Sequence, residues 1–222
     1  MTSRTSLPEQ NQSLAVELQR GCSVIDHEVT AHQQGLLLRY LDLVGRWNKA
    51  YNLTAVRDAS QMVSRHLLDS LVIAPFVDGQ RCLDVGTGAG LPGVPMAILY
   101  PQREVHLLDS NGKKTRFLFQ VKTDLCLDNM VVHQARVESF QAADPYDVIM
   151  SRAFASLQDM VKGCRHLLAP KGRFLAMKGA CPDEEIEAVK EQGASVEVYP
   201  LKVPGLTEQR HMVELTFHRA AS

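Results

Sequence analysis

Three glycines alternate with small residues in Asp84-Val85-Gly86-Thr87-Gly88-Ala89-Gly90, after a short apolar run and before a helix-forming one. Glycines at such a place let the chain turn sharply and let a ligand approach the backbone, while helix amides point into the site. The alternative is a tight turn without a ligand. The dinucleotide fingerprint G-x-G-x-x-G requires glycine at position 91, where Leu91 stands, and no G-x-x-x-x-G-K-[ST] loop occurs. Asp84 would repel a phosphate but suits a cationic ligand, and S-adenosylmethionine carries both a sulfonium and an ammonium. Its carboxylate acts either by direct contact or through hydrogen bonds within the loop.

A second acid, Asp109, closes the apolar run Val105-His106-Leu107-Leu108, 23 positions after Gly86. A carboxylate there can accept both hydroxyls of a ribose, a demand shared by NAD and adenosyl cofactors. It can equally cap the helix that Asp109-Ser110-Asn111 opens. Arg136-Val137-Glu138 follows the next strand, where backbone amides and a side-chain acceptor can meet adenine. Ser151-Arg152-Ala153-Phe154 follows the fourth strand, the position from which the chemistry of such a fold hangs. Methylation of exocyclic amines commonly uses an [DN]-P-P-[FY] clamp, and this chain has no Pro-Pro. Pyrimidine C5 methylation needs a cysteine nucleophile, yet Cys181-Pro182 follows the fifth strand and is read as structural. Ribose 2′-O-methylation wants an acid where Arg152 stands. An acceptor without a proton to lose, guanine N7, fits what remains. Its methylation requires alignment and electrostatics but no general base, with Arg152 in a positioning role. Arg152 otherwise reads as a surface arginine paired with an acid.

These residues need a frame. From Arg81 onward short strands near 81–85, 104–108, 130–133, 146–150, 172–177, 195–201 and 211–217 alternate with helices near 92–100, 112–126, 156–168 and 183–192. Such alternation predicts parallel strands joined by right-handed crossovers in an open α/β sheet. No helix separates the last two strands, which predicts an antiparallel hairpin at one edge. Residues 1–79 read as a helical region packed on an 80–222 catalytic domain. Leu37, Leu41, Val44, Trp47 and Tyr51 recur three or four apart over 29–51, giving one buried stripe. A second helical stretch runs from an N-cap at Asp58 to about Phe76. Trp47 falls on the stripe and is assigned to the core. Asn48 and Asn52 are assigned to holding the loop that follows. His66 and Asp69, three apart, are assigned to a helix-internal bond or to packing on the catalytic domain rather than to acid–base chemistry.

The 24 lysines and arginines nearly balance 25 aspartates and glutamates, so no global basic charge draws the protein to nucleic acid. Local groups remain: Arg39, Arg46, Lys49, Arg57 and Arg65, and then Lys113, Lys114, Arg116 and Lys122. For each the alternative is a solvated face. Lys113, Lys114 and Arg116, with Lys178 at the end of the fifth strand, lie on the edge expected to hold the cofactor and are the predicted RNA contacts. The five cysteines are scattered without a C-x-x-C pair, which predicts reduced thiols and no metal site in a cytoplasmic protein. The longest uncharged stretch, 85–102, contains four glycines and three prolines and does not read as a membrane span. The first twenty residues lack a secretory apolar core.

Taken together, Arg46-Trp47-Asn48-Lys49-Ala50-Tyr51-Asn52-Leu53-Thr54, Arg65-His66-Leu67-Leu68-Asp69-Ser70, the 84–93 loop and Ser151-Arg152-Ala153-Phe154-Ala155 resemble the bacterial ribosomal RNA small subunit methyltransferase G family. That family is also called glucose-inhibited division protein B. The likeness runs from about residue 30 to the end, and the first twenty-five or so residues match nothing, reading as a leader or a variable helix. The resemblance implies a Rossmann-like class I fold using S-adenosylmethionine, with 7-methylguanosine at position 527 of 16S rRNA as product. It implies cofactor contacts at Gly86, Leu91, Val137, Glu138 and Arg152, with Asp109 matching the family's acid, and the glycine loop adds Gly88. The partner would be 16S rRNA or the small subunit; apart from the resemblance, no exposed apolar repeat asks for a second copy, which predicts a monomer. Two competing readings are a class I methyltransferase of small molecules and a nucleotide- or RNA-binding protein without turnover.

Overall fold

The computed structural model describes residues 9–152, 154 and 156–217. Ala153 and Ala155 of the fourth-strand motif lie outside the described residues. Seven strands form one sheet: β1 (Arg81–Val85), β2 (Glu104–Asp109), β3 (Met130–Gln134), β4 (Tyr146–Ser151), β5 (Leu168–Lys178), β6 (Ser195–Leu201) and β7 (Arg210–Thr216). Their order is β3-β2-β1-β4-β5-β7-β6. The pairs β1–β2, β1–β4, β2–β3 and β4–β5 are parallel. β7 runs antiparallel to both β5 and β6, so the hairpin edge expected from the sequence is present. The order reverses between β1 and β4, and in such a sheet the crevice beyond the strand ends at that point is where ligands bind.

Alternation along the strands divides the interior in two. Val105, Leu107, Val148, Met150 and Leu175 face one core, which also takes Leu37, Tyr40, Leu67, Val94 and Phe117. Leu83, Val85, Leu108, Ile149 and Phe174 face the other, together with Leu157, Met160 and Ile186. The first core is covered by α1 (Glu9–Val24), α2 (Ala31–Tyr51), α5 (Gly93–Leu99) and α6 (Gly112–Leu125). The second is covered by α7 (Leu157–Cys164) and α8 (Asp183–Glu191). The N-terminal helices thus share a continuous core with the sheet. The N-terminal residues that match no motif belong in part to α1, whose Leu18 and Cys22 are buried in that core.

Local chemistry sets the helix ends. Thr30 and Gln33 form a reciprocal capping box before α2. Asn52 closes the same helix in the left-handed conformation. Asn48 accepts from the Thr54 amide and donates to the Val56 carbonyl, fixing the following loop as expected. Asp58 caps the next segment as predicted, through Gln61 N–H. That segment is not one helix to Phe76. It is α3 (Ala59–Met62), a π-helix (Val63–Leu68), α4 (Asp69–Leu71) and a 3-10 turn (Ala74–Phe76). Apolar spacing alone cannot distinguish these windings, because the added residue per π turn shifts the stripe only locally. All five cysteines are free thiols. Among the described residues no helix is long and apolar enough to cross a membrane.

Candidate active site

The glycine loop is held by its own acid. Asp84, fully buried at the end of β1, accepts from the Thr87 hydroxyl (2.6 Å) and the Gly93 amide (2.8 Å) through Oδ2. A side chain at Gly93 would collide with Leu107 and with this carboxylate. Of the two roles open to Asp84, the structure therefore shows hydrogen bonding within the loop. Its Oδ1 is buried without a partner among the described residues, and burial pushes the acid up to about 7. A second fastener carries no signal in the sequence: the buried Tyr40 hydroxyl of α2 donates to the Ala89 carbonyl (2.7 Å), pinning the helical region to the loop. A buried phenol needs an acceptor, but its sequence does not say where.

Gly86, Gly88 and Gly90 all have positive φ (67°, 62° and 96°), which explains why glycine alternates here. Gly86 lies in a cleft of about 230 Å³ with Asp109, Val137 and Glu138, joined by Ser110, Ala135, Arg136 and Phe154. Four of the expected cofactor residues thus meet in one cavity. A Cβ on Gly86 would touch nothing within 4 Å, so the space beside its backbone is open. Asp109 is buried; its Oδ1 accepts from Asn111 N–H (2.8 Å) and its Oδ2 from Gly88 N–H (3.0 Å), with Lys114 Nζ at 3.5 Å. The cap of α6 is Asn111 and not Asp109, since the Asn111 side chain accepts from Lys113 N–H. An open glycine backbone beside two carboxylates, of which Asp109 is buried and held in place, fits an adenosyl ligand whose ribose offers hydroxyl donors.

The remaining expected contacts lie elsewhere. Gly88 spends its amide on Asp109 and does not line the cleft. Leu91 is buried in the first core and its amide bonds to Thr87 O, so it shapes the loop from beneath. Arg152 belongs to a neighbouring pocket of about 340 Å³, with Arg65, His66, Asp69, Lys178 and Arg210. One position separates Arg152 in this pocket from Phe154 in the cleft, so the two cavities are lined from neighbouring points where the chain leaves β4.

Asp69 organises the pocket. Its Oδ2 accepts from Arg152 Nη1 (3.2 Å) and its Oδ1 from Arg210 Nε (2.9 Å). Arg152 is therefore paired with an acid, but it is an acid of the helical region within a pocket. His66 does not bond Asp69; its Nε2 meets Thr54 Oγ1 at 3.0 Å. Burial holds His66 down to about 4, so it is neutral at physiological pH. Arg210 carried no signal in the sequence, being 141 residues from its partner. Lys178 reaches the pocket, but its ammonium is engaged by Glu185 (2.8 Å), which withdraws it from the free cations expected to meet RNA. Lys113 and Arg116 are exposed on α6, whereas Lys114, also expected to meet RNA, is half-buried and turned to Asp109. In the helical group Arg46 pairs with Asp42, Arg65 with Glu208, and Arg39 donates to the Asp124 carbonyl. Trp47 is half-buried and packs on Phe117 and Tyr51, consistent with a core role. Cys181 bonds Asp183 and lies in neither cavity, in keeping with a structural cysteine. A larger cavity of about 670 Å³, between α1 and the loop before β7, shares no residue with either site.

Residues 33–213 match the family model described as rRNA small subunit methyltransferase G. The chain belongs to that family. It is 53% identical over 207 residues to the ribosomal RNA small subunit methyltransferase G of Stutzerimonas stutzeri, covering 92% of this chain and 96% of that one. The protein of the same name from Escherichia fergusonii is 49% identical over 191 residues, covering 86% and 92%. Among solved structures, the glycopeptide N-methyltransferase MtfA in complex with (S)-adenosyl-L-methionine superposes with a TM-score of 0.59 at 13% identity, covering 68% of this chain and 87% of that one. A precorrin-6y C5,15-methyltransferase from Geobacter metallireducens gives 0.54 at 15% identity, covering 76% and 92%. These two likenesses establish the Rossmann-like methyltransferase fold. Family membership makes the chain an S-adenosylmethionine-dependent methyltransferase acting on guanine N7 of 16S rRNA.

Proposed function

We propose that the cleft holds the cofactor and the arginine pocket receives guanosine 527 of 16S rRNA, with the methyl group crossing where the chain leaves β4. The observation that carries this reading is the adjacency of the two cavities at Arg152 and Phe154. In the cleft, Asp109 accepts from the ribose hydroxyls, the Gly86 backbone lies against the ligand, and Val137 with Glu138 meets the adenine. Gly88 and Leu91 act indirectly, the first by fixing the Asp109 carboxylate and the second by supporting the loop. S-adenosylmethionine, when bound, supplies an electrophilic methyl group on a sulfonium.

The protein's part is alignment. Guanine N7 has an in-plane lone pair and no proton at neutral pH, so no residue has to take one. The neutral His66 and the doubly paired Asp69 are accordingly spare as bases. Arg152 presents a guanidinium suited to guanine O6. Donation to O6 alone leaves N7 open, whereas the two-point contact of duplex readout would block it. The base must leave its stack to present N7, so the target is an accessible RNA loop. Lys113 and Arg116 meet flanking phosphates from the exposed face of α6.

The test is transfer of labelled methyl to small subunits and to 16S rRNA from cells lacking the modification. The methylated atom is mapped by cleavage selective for 7-methylguanosine. Arg152→Ala is expected to lower turnover at saturating RNA about 100-fold, the scale for losing a positioned donor. Methyl on an exocyclic amine or a ribose oxygen would overturn the mechanism. A small-molecule acceptor methylated in preference to RNA would overturn the pocket assignment.

A further inference from the structure

We infer that Asp69 is a positioning residue for methyl transfer, its carboxylate fixing Arg152 and Arg210 side by side as the cationic wall that meets the target nucleotide. This rests on the pocket assignment above. Each oxygen of Asp69 is given to a different arginine, one arriving from the end of β4 and the other from the start of β7. The Asp69 side chain is only 4% exposed, so water is a poor substitute for either partner. Burying a carboxylate is costly unless it is paired, and here the cost is offset by two charge-assisted bonds. Arg152 Nη1 is held a second time, by the Arg65 carbonyl at 3.1 Å. Arg65 lies in the π-helix that runs directly into Asp69. Windings of this kind are frequent at functional sites, and this one delivers both acceptors to a single guanidinium nitrogen.

The charges around the pocket support a ligand of opposite sign. Arg65 is matched by Glu208 and Lys178 by Glu185, but Arg152 and Arg210 share Asp69. Four cations thus meet three carboxylates in these pairs, and one positive charge remains to face a nucleotide. Without Asp69 two guanidinium groups would repel each other, and Arg152 would lose its fixed orientation. Proton transfer is not the role, because both oxygens are engaged as acceptors and His66 bonds elsewhere.

The experiment measures methyl transfer by Asp69→Asn, Arg152→Ala and the double variant, using small subunits from cells lacking the modification. Cofactor binding is followed by calorimetry, and rates are expressed per binding-competent molecule. Asp69→Asn is expected to lower kcat at least tenfold while leaving the cofactor Kd within twofold and the shape of the pH–rate profile unchanged. In the Arg152→Ala background the same substitution should cost less than threefold, since only its hold on Arg210 is left to lose. Equal losses in both backgrounds, or an unchanged kcat per competent molecule, would overturn the inference and leave Asp69 a structural tie. If Asp69→Asn does not fold, Asp69→Glu keeps the charge but displaces both oxygens, and at least a threefold loss of kcat is expected. Wild-type kcat in that variant has the same overturning force. Failure of the pocket assignment would look different, because Arg152→Ala alone would then leave kcat per competent molecule at the wild-type value.

Discussion

The proposed cofactor cleft and the arginine pocket are lined from neighbouring points at the end of β4, yet they are assembled in opposite ways. The cleft is made by loops that follow β1, β2 and β3 in turn, and much of what faces the ligand is backbone or a side chain fixed by its near neighbours. The pocket is made by side chains from the π-helix, α4, the end of β4, the end of β5 and the start of β7. Its central contacts join residues 83 and 141 positions apart. A binding site for a common cofactor can be encoded locally and reused on many sheets. The pocket proposed for the RNA nucleotide uses groups that only the whole fold brings together, and here the helical region supplies the acid that arranges them.

This contrast has consequences that substitutions can break or sharpen. The largest effect is expected at Gly86. At φ 67° with open cleft beside it, Gly86→Val places a branched side chain in the ligand's space and strains the turn. Calorimetry should find adenosylmethionine binding weakened by more than about 100-fold, with the protein still folded by circular dichroism. Normal binding by a folded Gly86→Val protein would reduce the loop to a structural turn.

Asp109→Ala should act next most strongly, because the substitution removes a ligand acceptor and also releases the Gly88 and Asn111 amides. Cofactor affinity is expected to fall by about 1–3 kcal/mol, the scale for removing a charge-assisted partner. Unchanged affinity with lowered stability would assign Asp109 wholly to the loop. Neither cleft variant should alter RNA binding measured without cofactor.

The exposed cations of α6 should have a smaller and separable effect. Lys113→Ala with Arg116→Ala is expected to weaken RNA binding and to reduce the salt slope by about one for each phosphate that is no longer neutralised. Lys178→Ala should change that slope less, because Glu185 already engages its charge. A slope unaltered by the α6 pair would move the RNA-facing edge elsewhere.

The smallest effect concerns pH. His66 is held at about 4 against an ordinary 6.5, so the unfolded chain binds the extra proton first. Its contribution is therefore fully present above about pH 6.5 and is lost as pH falls towards 4, at up to about 1.4 kcal/mol per pH unit. Asp84, raised from 3.8 to about 7, works in the other direction: its share is present below 3.8 and lost as pH rises through 7. Urea unfolding of His66→Gln at pH 7 and pH 5 should isolate the first effect, with the variant losing less stability than the parent on acidification. Equal losses would mean that His66 is not the group titrating.

The sequence by itself determined the sheet, its hairpin edge and the cleft. Strand–helix alternation dictates parallel pairing, alternating glycines dictate positive φ, and an acid at the end of β2 lines the cleft because strands end on one side of the sheet. These are short-range constraints, carried by neighbouring residues and readable without a partner. It did not determine the winding of residues 59–76, where α, π and 3-10 turns share one apolar stripe. Nor did it determine that Asp84 turns inward to its own loop, that Asn111 takes the cap from Asp109, or that Leu91 supports the loop from the core. Each of those depends on which of several acceptable acceptors lies within about 3 Å, a question settled by packing. The clearest case is Asp69. Nothing in Arg65-His66-Leu67-Leu68-Asp69-Ser70 names Arg210 as a partner, because a buried carboxylate takes whichever cations the tertiary fold delivers to it.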